Sequence, residues 1–505
     1  MAWLEEVLQQ RPPTGAQRPY PRIVVDAEIW HGAGRELAEM RATLLSLWGE
    51  PDAVHLALEQ NDRIGVLSLA CLGKSFPSIA RQHPPTLRLE RTVRDLYGLE
   101  PVGCPDTRRW LDHGRWGVRH PLGARQTAPA TGDPYAFLPA EGPPLHQIPV
   151  GPVHAGIIEP GHFRFSANGE TVVRLEERLG YVHKGIDHLM IGAPLERAAK
   201  LAGRVSGDST VAYATAFACA VEDAIGLEPP TRAVWLRALM AELERLANHF
   251  GDIGAICNDA SFSLMHAHCG ILREQVLRAS DICFGHRLMM DCAVPGGVRA
   301  DLGKDGAAAT QALLRSIRQR FPELVELYDN TASLQNRTMT TGILTPELAR
   351  QYGAGGFVGR ASGRSWDARK GPGYAPYTDL SFDVPVRKEG DVDARVWVRI
   401  LELEQSVRLL EQILERIPDG PVRREIGGSA RRKPSAEGLA LVEGFRGDIL
   451  AWVRVAADGK IARCHLRDPS WFQWPLLEAA IAGNIVADFP LCNKSFNCSY
   501  SGHDL

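Results

Sequence analysis

The sequence lacks paired cysteines. Its ten cysteines are spread along 505 residues, and none of them forms a C-x-x-C pair. Most of them lie in apolar or helical surroundings, where a cysteine behaves as a small buried side chain. We therefore expect neither a secreted disulfide framework nor a self-contained zinc or iron–sulfur site in this chain.

Long apolar runs and an excess of one charge are also missing. No stretch approaches the roughly 18 uninterrupted apolar residues that a membrane-spanning helix needs. Residues 1–12 lack the apolar core of a signal peptide. The 57 basic and 60 acidic residues nearly cancel, which gives no electrostatic case for nucleic acid or an anionic membrane surface. We expect a cytoplasmic protein that reaches a membrane only through partners.

Nucleotide-binding and hydrolase signatures are absent as well. The glycine-rich runs at 353–356 and 296–297 lack the strand, lysine or acidic partner of a nucleotide loop, and Gly-x-Ser-x-Gly does not occur. We therefore expect no NAD site on this chain.

The chain is long enough for two or three domains, and its patterning changes near residue 125. Residues 22–120 mix alternating runs such as Ile64–Leu69 with helix-like runs such as Glu36–Trp48, which predicts a small α+β domain. Residues 123–150 hold too many prolines for a regular element and predict an extended connector.

Beyond the connector the pattern is mainly helical. Apolar stripes predict long helices over Thr231–Phe250 and Val396–Ile417. From about residue 438 the pattern returns to strands, at Ile449–Val455 and Ile461–Leu466, and then predicts an irregular tail. The fold class is therefore α+β: a small N-terminal α+β domain and a large, mainly helical domain with a minor β portion.

Two short windows have the spacing of soft-metal ligand pairs without the expected ligands. The first window is Ser206–Ser209, preceded by Arg204, and the second is Cys498–Ser501. Three of the four ligand positions carry serine, whose hydroxyl is a hard and weak donor. The spacing of a metal site is present, but its thiolates are not.

The N-terminal part resembles the C-type subunit of bacterial NADH-quinone oxidoreductase (complex I). The resemblance rests on the runs Glu90–Leu99, Gly103–Arg109 and His120–Leu122. The later part resembles the D-type subunit of that enzyme and also the large subunit of membrane-bound (group 4) nickel–iron hydrogenases. The motifs that carry this second resemblance are Gly151–His154, Tyr181–Gly185, Arg360–Gly363, Trp366–Arg369 and Gly390–Arg395.

The fused order, C-like before D-like, is most similar to the large subunit of hydrogenase-4 and formate hydrogenlyase. This resemblance implies a C-like domain at 1–122, a proline-rich linker at 123–150 and a D-like domain at 151–505. It also implies docking against a small iron–sulfur subunit and antiporter-like membrane subunits, at the cytoplasmic side of the bacterial inner membrane.

In the hydrogenases each window supplies two cysteine thiolates that hold nickel and bridge to iron. Here Ser206, Ser209, Cys498 and Ser501 occupy those positions, so the resemblance implies a degenerate site and no metal on this chain. For Cys498 we favour a small apolar side chain over a ligand. Only four residues follow Ser501, which we take as a further sign against nickel loading.

The D-type protein of complex I also lacks these cysteines and seats a quinone head group in the equivalent space. By resemblance, Glu159 stands where the hydrogenases keep a glutamate that transfers protons. The alternative is that the Glu159 carboxylate is merely solvated in a turn before Pro160. His154 and His162 are candidate hydrogen-bond donors to a quinone carbonyl, or structural histidines of the same loop.

The first window offers three more candidates. Arg204 matches the arginine that precedes the hydrogenase ligand pair. Asp208 lies between the two serines. With an arginine and these serines it predicts a hydrogen-bonded polar cluster that takes the structural place of the metal. The alternative is that Asp208 relays protons. Tyr213 is a candidate hydrogen-bond donor to a quinone oxygen. The alternative is that Tyr213 is only a packed aromatic residue.

Two charged motifs are interpreted as structural. Arg360 and Trp366–Arg369 predict a glycine-rich turn anchored against a neighbouring subunit. Glu443 and Arg446 belong to a run typical of the turn before a hairpin, with a minor role at the cavity as the alternative. On the helix from Thr231, helical spacing predicts an ion pair between Glu242 and Arg245.

The sequence thus predicts a core oxidoreductase subunit that forms the cavity beside a partner's terminal iron–sulfur cluster. There electrons reach a quinone or another acceptor, coupled to ion translocation, without a working nickel–iron centre. The first alternative is a catalytically silent scaffold that couples the membrane subunits to another donor. The second is a hydrogenase with atypical ligands.

Overall fold

The structure is a computed structural model and describes residues 2–13, 16–132, 134–142, 144–154, 158–427 and 436–505. It confirms the α+β class: an N-terminal region of mixed helices and strands precedes a larger region of long helices with a smaller β portion. None of the helices in these ranges combines the length and the apolar character that a membrane span requires.

A four-stranded sheet forms the centre of the N-terminal region, in the order β2-β5-β4-β3. Its strand β5 confirms the prediction for Ile64–Leu69. The elements are α1 (Trp3–Gln10), β1 (Ala16–Arg18), β2 (Arg22–Val25), α2 (Ala27–Ala38), β3 (Thr43–Glu50), β4 (Ala53–Gln60), β5 (Arg63–Ala70), β6 (Ser75–Pro77), α3 (Leu87–Tyr97), β7 (Glu100–Val102), β8 (Val118–Arg119) and β9 (Gln126–Thr127).

The helix predicted over Glu36–Trp48 is wrong. Helix α2 ends at Ala38, and most of the remaining residues form β3. Leu44 and Leu47 lie in one hydrophobic core, whereas Leu45 and Trp48 lie in another. Because β3 is buried on both faces, its sequence shows no alternation and is easily mistaken for a helical pattern.

Among its described residues, the proline-rich segment contains the short β9 near its start and a longer strand at its end, neither of which was predicted. Residues 145–150 form β10 (Leu145–Val150), which pairs with β11 (His162–Asn168), and β11 pairs in turn with β12 (Thr171–Arg178). Pro149 is tolerated because β10 lies at the edge of this antiparallel sheet, where a missing N–H breaks no ladder.

Long helices form the second core. Helices α7 and α13 confirm the two helices predicted from apolar stripes, and α7 packs against both α8 and α13. The elements are α4 (Ile186–Met190), α5 (Leu195–Ala202), α6 (Thr210–Ile225), α7 (Thr231–Asp259), α8 (Ser263–Phe284), β13 (Ala293–Val294), β14 (Gly297–Val298), α9 (Gly306–Asn330), α10 (Ala332–Thr338), α11 (Pro346–Gln351), α12 (Gly356–Ala361) and α13 (Val392–Arg416).

The last part confirms the predicted strands but not the irregular tail. Three antiparallel strands are followed by three short helices. Helix α15 has a proline in its first turn, a position that helices accept. The elements are β15 (Ala436–Gly444), β16 (Gly447–Val455), β17 (Ile461–Arg467), α14 (Ser470–Ala480), α15 (Phe489–Phe496) and α16 (Tyr500–Asp504).

The two regions are joined through their sheets. Strand β1 pairs in parallel with β15, so the N-terminal segment completes the C-terminal sheet. The rings of Trp48 and Trp452 lie 5.6 Å apart between the sheets, and Arg454 bridges Glu50 and Glu437. This packing brings the end of the chain against the N-terminal region, where Trp110 Nε1 donates to His503 Nε2 at 3.1 Å.

Candidate functional site

The two windows meet in space although they lie far apart in the sequence. Ser206 and Ser499, 293 residues apart, have their hydroxyl oxygens 3.1 Å from each other. The first window is a short 3₁₀ turn that leads into α6, and the second connects α15 to α16. The structure therefore forms one site from the two windows, as the resemblance to the hydrogenase large subunits implied.

A bidentate ion pair lies at the centre of this site. Arg446 Nη1 and Nη2 donate to the two carboxylate oxygens of Asp208 at 2.8 and 2.5 Å. The hydroxyls of Ser206 and Ser209 also donate to Asp208, at 2.7 and 3.3 Å. Burial pushes the pKa of Asp208 upward, but Arg446 and the two hydroxyls outweigh burial and lower the pKa to about 2.

The arginine of this cluster is Arg446, not Arg204. Arg446 occupies the two-residue turn between β15 and β16, and its Nε donates to the carbonyl of Asn497 at 2.5 Å. Arg204 instead pairs with Asp291 at 2.8 Å, and its side chain is 41% exposed. The predicted polar cluster is present, but Arg204 lies outside it.

Two residues of α7 hold the first window in place. Asn248 Nδ2 donates to the carbonyl of Asp208 at 2.7 Å. The carboxylate of Glu244 accepts the first N–H groups of α6, from Val211 at 2.7 Å and from Ala212 at 3.1 Å. Glu244 carried no sequence signal and was missed.

Cys498 is a buried, protonated thiol. It belongs to the hydrophobic core, and burial raises its pKa well above the usual value, with Glu177 adding to the effect. Over the described ranges, no group of three or more His, Cys, Asp or Glu side chains is arranged to hold a metal ion.

The donor set does not fit a nickel–iron centre. Hard serine hydroxyls stand at Ser206, Ser209 and Ser501 of the two windows, and the first two already hydrogen-bond to Asp208. The guanidinium of Arg446 is a fixed positive charge at the place where a metal cation would need anionic sulfur.

Glu159 lies at the second window. The backbone N–H of Ser501 donates to Glu159 Oε2 at 2.9 Å, and the Glu159 side chain is exposed to solvent. Nearby, Lys184 Nζ donates to the carbonyls of Arg204 at 2.9 Å and Val205 at 2.6 Å. One carboxylate and one ammonium group therefore border the two windows on the solvent side.

Tyr213 lies behind the windows and points into a hydrogen-bonded chain. Its hydroxyl donates to Asp468 Oδ2 at 2.6 Å, and burial followed by this carboxylate raises the pKa of Tyr213 well above its usual range. Asp468 accepts the N–H of Ser470, whose hydroxyl accepts the N–H of Ser499. Tyr213 thus contacts the second window through two intermediates.

The two candidate histidines differ in direction. His162 opens β11, and its ring lies 4.9 Å from that of Phe137 in the proline-rich segment. Its strand neighbour Phe163 packs instead on Trp474 and Tyr500, beside the second window. Because side chains alternate along a strand, His162 points away from the windows.

His154 lies nearer to the windows than His162 does. Its ring is 6.1 Å from the ring of Phe163, which faces the second window. The structure therefore brings His154 to the side of the site and leaves His162 on the opposite face of the sheet.

The charged signature around Arg360 is internal. Arg360 is fully buried and bonds Glu402, Glu443 and Asp367 at 2.7, 3.0 and 3.2 Å. Arg369 bonds Asp367 and Glu242 in the same network. The ion pairs of this signature therefore lie within the chain, and contact of this turn with a neighbouring subunit stays a prediction.

The sequence matches two families of respiratory-chain subunits and several characterised proteins. Residues 25–133 match the family described as respiratory-chain NADH dehydrogenase, 30 Kd subunit, and residues 261–429 match the 49 Kd subunit of the same enzyme. Formate hydrogenlyase subunit 5 of Escherichia coli (strain K12) is 32% identical over 439 residues, which is 85% of this chain and 77% of that protein.

Two further relatives cover mainly the later part of the chain. The D-type subunit of NADH-quinone oxidoreductase from Desulfotalea psychrophila is 31% identical over 67% of this chain and 91% of its own length. A chain in the structure of the membrane-bound sulfane sulfur reductase, an archaeal respiratory membrane complex, superimposes with a TM-score of 0.67. It is 27% identical and covers 72% of this chain and 98% of its own length.

Proposed function

We propose the function of this chain from its family: it belongs to the core subunits shared by complex I and the group 4, formate hydrogenlyase type of complex. It is a core subunit of a membrane respiratory complex of that family. We propose that its site transfers electrons from a partner's terminal iron–sulfur cluster to a quinone or another acceptor, without nickel–iron chemistry, and that this transfer is coupled to ion translocation.

The ion pair between Asp208 and Arg446 carries this proposal. Its opposite charges cancel, and its oxygens and nitrogens are held by Ser206, Ser209 and Asn497. A neutral, hydrogen-bonded centre supports a polar wall against which an acceptor can bind, and it leaves no thiolate cradle for a metal.

Proton supply is assigned to the solvent edge of the windows. Reduction of a quinone to a quinol consumes protons together with electrons. Glu159 is exposed and contacts the second window through Ser501, so it is placed to pass protons inward. Tyr213 is assigned a positioning role, because its hydroxyl holds the chain of bonds that ends at Ser499.

Partners and location follow from the relatives and remain part of the proposal. A small iron–sulfur subunit would supply the terminal cluster, and antiporter-like membrane subunits would use the released energy. The chain would then be peripheral, at the cytoplasmic side of the bacterial inner membrane.

The test uses the purified complex and three variants. Glu159→Gln and Tyr213→Phe are expected to lower turnover with a short-chain ubiquinone by about tenfold or more, whereas Arg318→Gln, which removes an exposed ion pair with Glu411, is expected to change nothing. Nickel content and hydrogen–deuterium exchange are measured on the same preparations.

Each other outcome identifies another function. Unchanged quinone turnover and ion transport in both variants would favour the silent scaffold. Stoichiometric nickel with hydrogen–deuterium exchange activity would show a hydrogenase with atypical ligands and overturn the proposal.

A further inference from the structure

A second cavity lies where the N-terminal region meets the end of the chain. We call it the junction cavity; its volume is about 270 Å³. Its walls are mostly aromatic and aliphatic, from α3, β3, the loop after α3 and the start of α14. The apolar walls include Trp48, Leu96, Tyr97, Leu111, Trp116 and Trp471.

Two acidic side chains line this apolar space, Asp504 of α16, whose oxygens accept the N–H groups of Gly180 and Val182, and Asp187 of α4. The oxygens of Asp187 are less well served. Its Oδ1 atom is inaccessible to solvent and has no hydrogen-bond partner among the described residues. Burial alone raises the pKa of Asp187 to about 7. A buried carboxyl oxygen without a partner is costly, so such an atom in a cavity indicates a missing donor.

Several other polar groups around the junction cavity already have partners, although the buried Trp48 Nε1 has none among the described residues. Lys184 Nζ is bound by two backbone carbonyls, and His183 Nδ1 bonds the carbonyl of Asp504 at 2.7 Å. His465 Nε2 lies 2.8 Å from the hydroxyl of Ser46. Asp187 therefore offers an unpartnered acceptor that a donor on a bound molecule would satisfy, beside the unpartnered donor Trp48 Nε1.

The walls define the rest of such a molecule. Trp48 stacks on His465 and Trp116 stacks on His183, so these rings are fixed before anything binds. An apolar cavity of about 150 Å³ is known to hold benzene, and this one is larger. The space suits one or two fused rings that carry a single polar group.

We propose that the junction cavity binds a compact, mostly apolar ring molecule that donates one hydrogen bond from a hydroxyl group to Asp187. The site is separate from the windows, and neither electron transfer nor a partner subunit is needed for binding. The proposal therefore stands or fails independently of the function proposed above.

Two matched probes test the proposal on the purified full-length chain by isothermal titration calorimetry. 2-Naphthol carries the donor, whereas 2-methoxynaphthalene has the same rings without it. We expect the naphthol to bind the native chain at least about tenfold more tightly, because it satisfies the buried carboxyl group. Equal affinities, or no binding of either probe, would show a cavity for solvent and overturn the proposal.

Two variants locate the binding. Asp187→Leu is expected to reduce the difference between the probes to less than about twofold, and Leu96→Trp, which fills the space, is expected to abolish binding of both. Asp223→Asn is the matched control, since Asp223 is another partly buried acid whose pKa burial raises, to about 6, and it lines a different cavity. Its probe affinities should equal those of the native chain.

A cationic probe checks the chemical class. 2-Naphthylmethylammonium also has the two rings but carries a positive charge. Tighter binding of this cation than of 2-naphthol would identify an organic cation as the ligand class and overturn the assignment of a neutral hydroxyl donor.

Discussion

Asp208 and Asp187 are 21 positions apart in sequence, and each lies near the C-terminal segment, but the protein treats them in opposite ways. Asp208 is held by Arg446 and two hydroxyls, and its pKa falls to about 2. Burial alone acts on the carboxyl group of Asp187, and its pKa rises to about 7. The difference shows that partners, more than depth, decide the charge of a carboxyl group here.

The contrast also separates two kinds of site. At the windows each charge is matched within the chain, so the centre is preorganised and neutral without a ligand. In the junction cavity Asp187 Oδ1 has no hydrogen-bond donor among the described residues, so a ligand could supply that donor. Variants that remove the cation beside Asp208, or the ionisable group at either aspartate, can therefore test this difference.

Removing the cation should have the largest effect. In Arg446→Met the carboxylate of Asp208 loses its partner, and we expect the free energy of unfolding to fall by about 3 kcal/mol, the lower end for a broken buried pair because Asp208 is 36% exposed. Urea denaturation of the full chain measures this change.

A double variant shows whether the unpaired charge is the cause. Asp208→Asn combined with Arg446→Met should recover more than half of the loss, because no charge then remains uncompensated. Arg318→Met is the surface control and should cost less than about 1 kcal/mol. A loss below about 1 kcal/mol in the single variant would contradict the central role of the ion pair.

Removing the carboxylate should have a smaller and pH-dependent effect. The folded pKa of Asp208, about 2, lies below the unfolded value near 4, so its stabilisation is present above about pH 4 and disappears as the pH falls toward 2. At pH 7 Asp208→Asn should cost about 2 kcal/mol, since Arg446 keeps its bond to Asn497. Melting curves of both proteins across this range should converge in acid; a constant difference would contradict the assignment.

Asp187→Asn should show the opposite sign. The folded pKa of Asp187, about 7, lies above the unfolded value, so the native chain loses stability as the pH rises from about 4 to 7. The asparagine variant lacks that ionisation and should be more stable than the native chain at pH 8 by about 1–2 kcal/mol. The same melting experiment tests it, and an equal stability of the two proteins at pH 8 would mean that Asp187 has a partner.

The sequence predicted much of the framework because the relevant signals are local. Apolar stripes revealed α7 and α13. The spacing within each window marked two candidate segments, and the family resemblance implied that they form one site. Strand β3 was mistaken for a helix because its two faces pack into different cores, which is a property of the folded chain.

The rest of the site depends on distant parts of the chain. Arg446 reaches Asp208 from a hairpin 238 residues away, and no local pattern distinguishes it from a structural turn residue. Asp187 becomes unusual only because α3 and the C-terminal residues surround it. The Arg360 signature was interpreted as structural, but its partners Glu402 and Glu443 lie 42 and 83 residues away and could not be named from the sequence.

The smallest effect is expected at Arg204, which the sequence placed in the cluster and the structure places outside it. Its pair with Asp291 is largely exposed, so Arg204→Gln should cost less than about 1 kcal/mol and should leave the pH dependence given by Asp208 unchanged. The measurement is urea denaturation at pH 3 and pH 7. A loss as large as that of Arg446→Met would mean that Arg204, rather than Arg446, neutralises Asp208, and the two arginines would exchange roles.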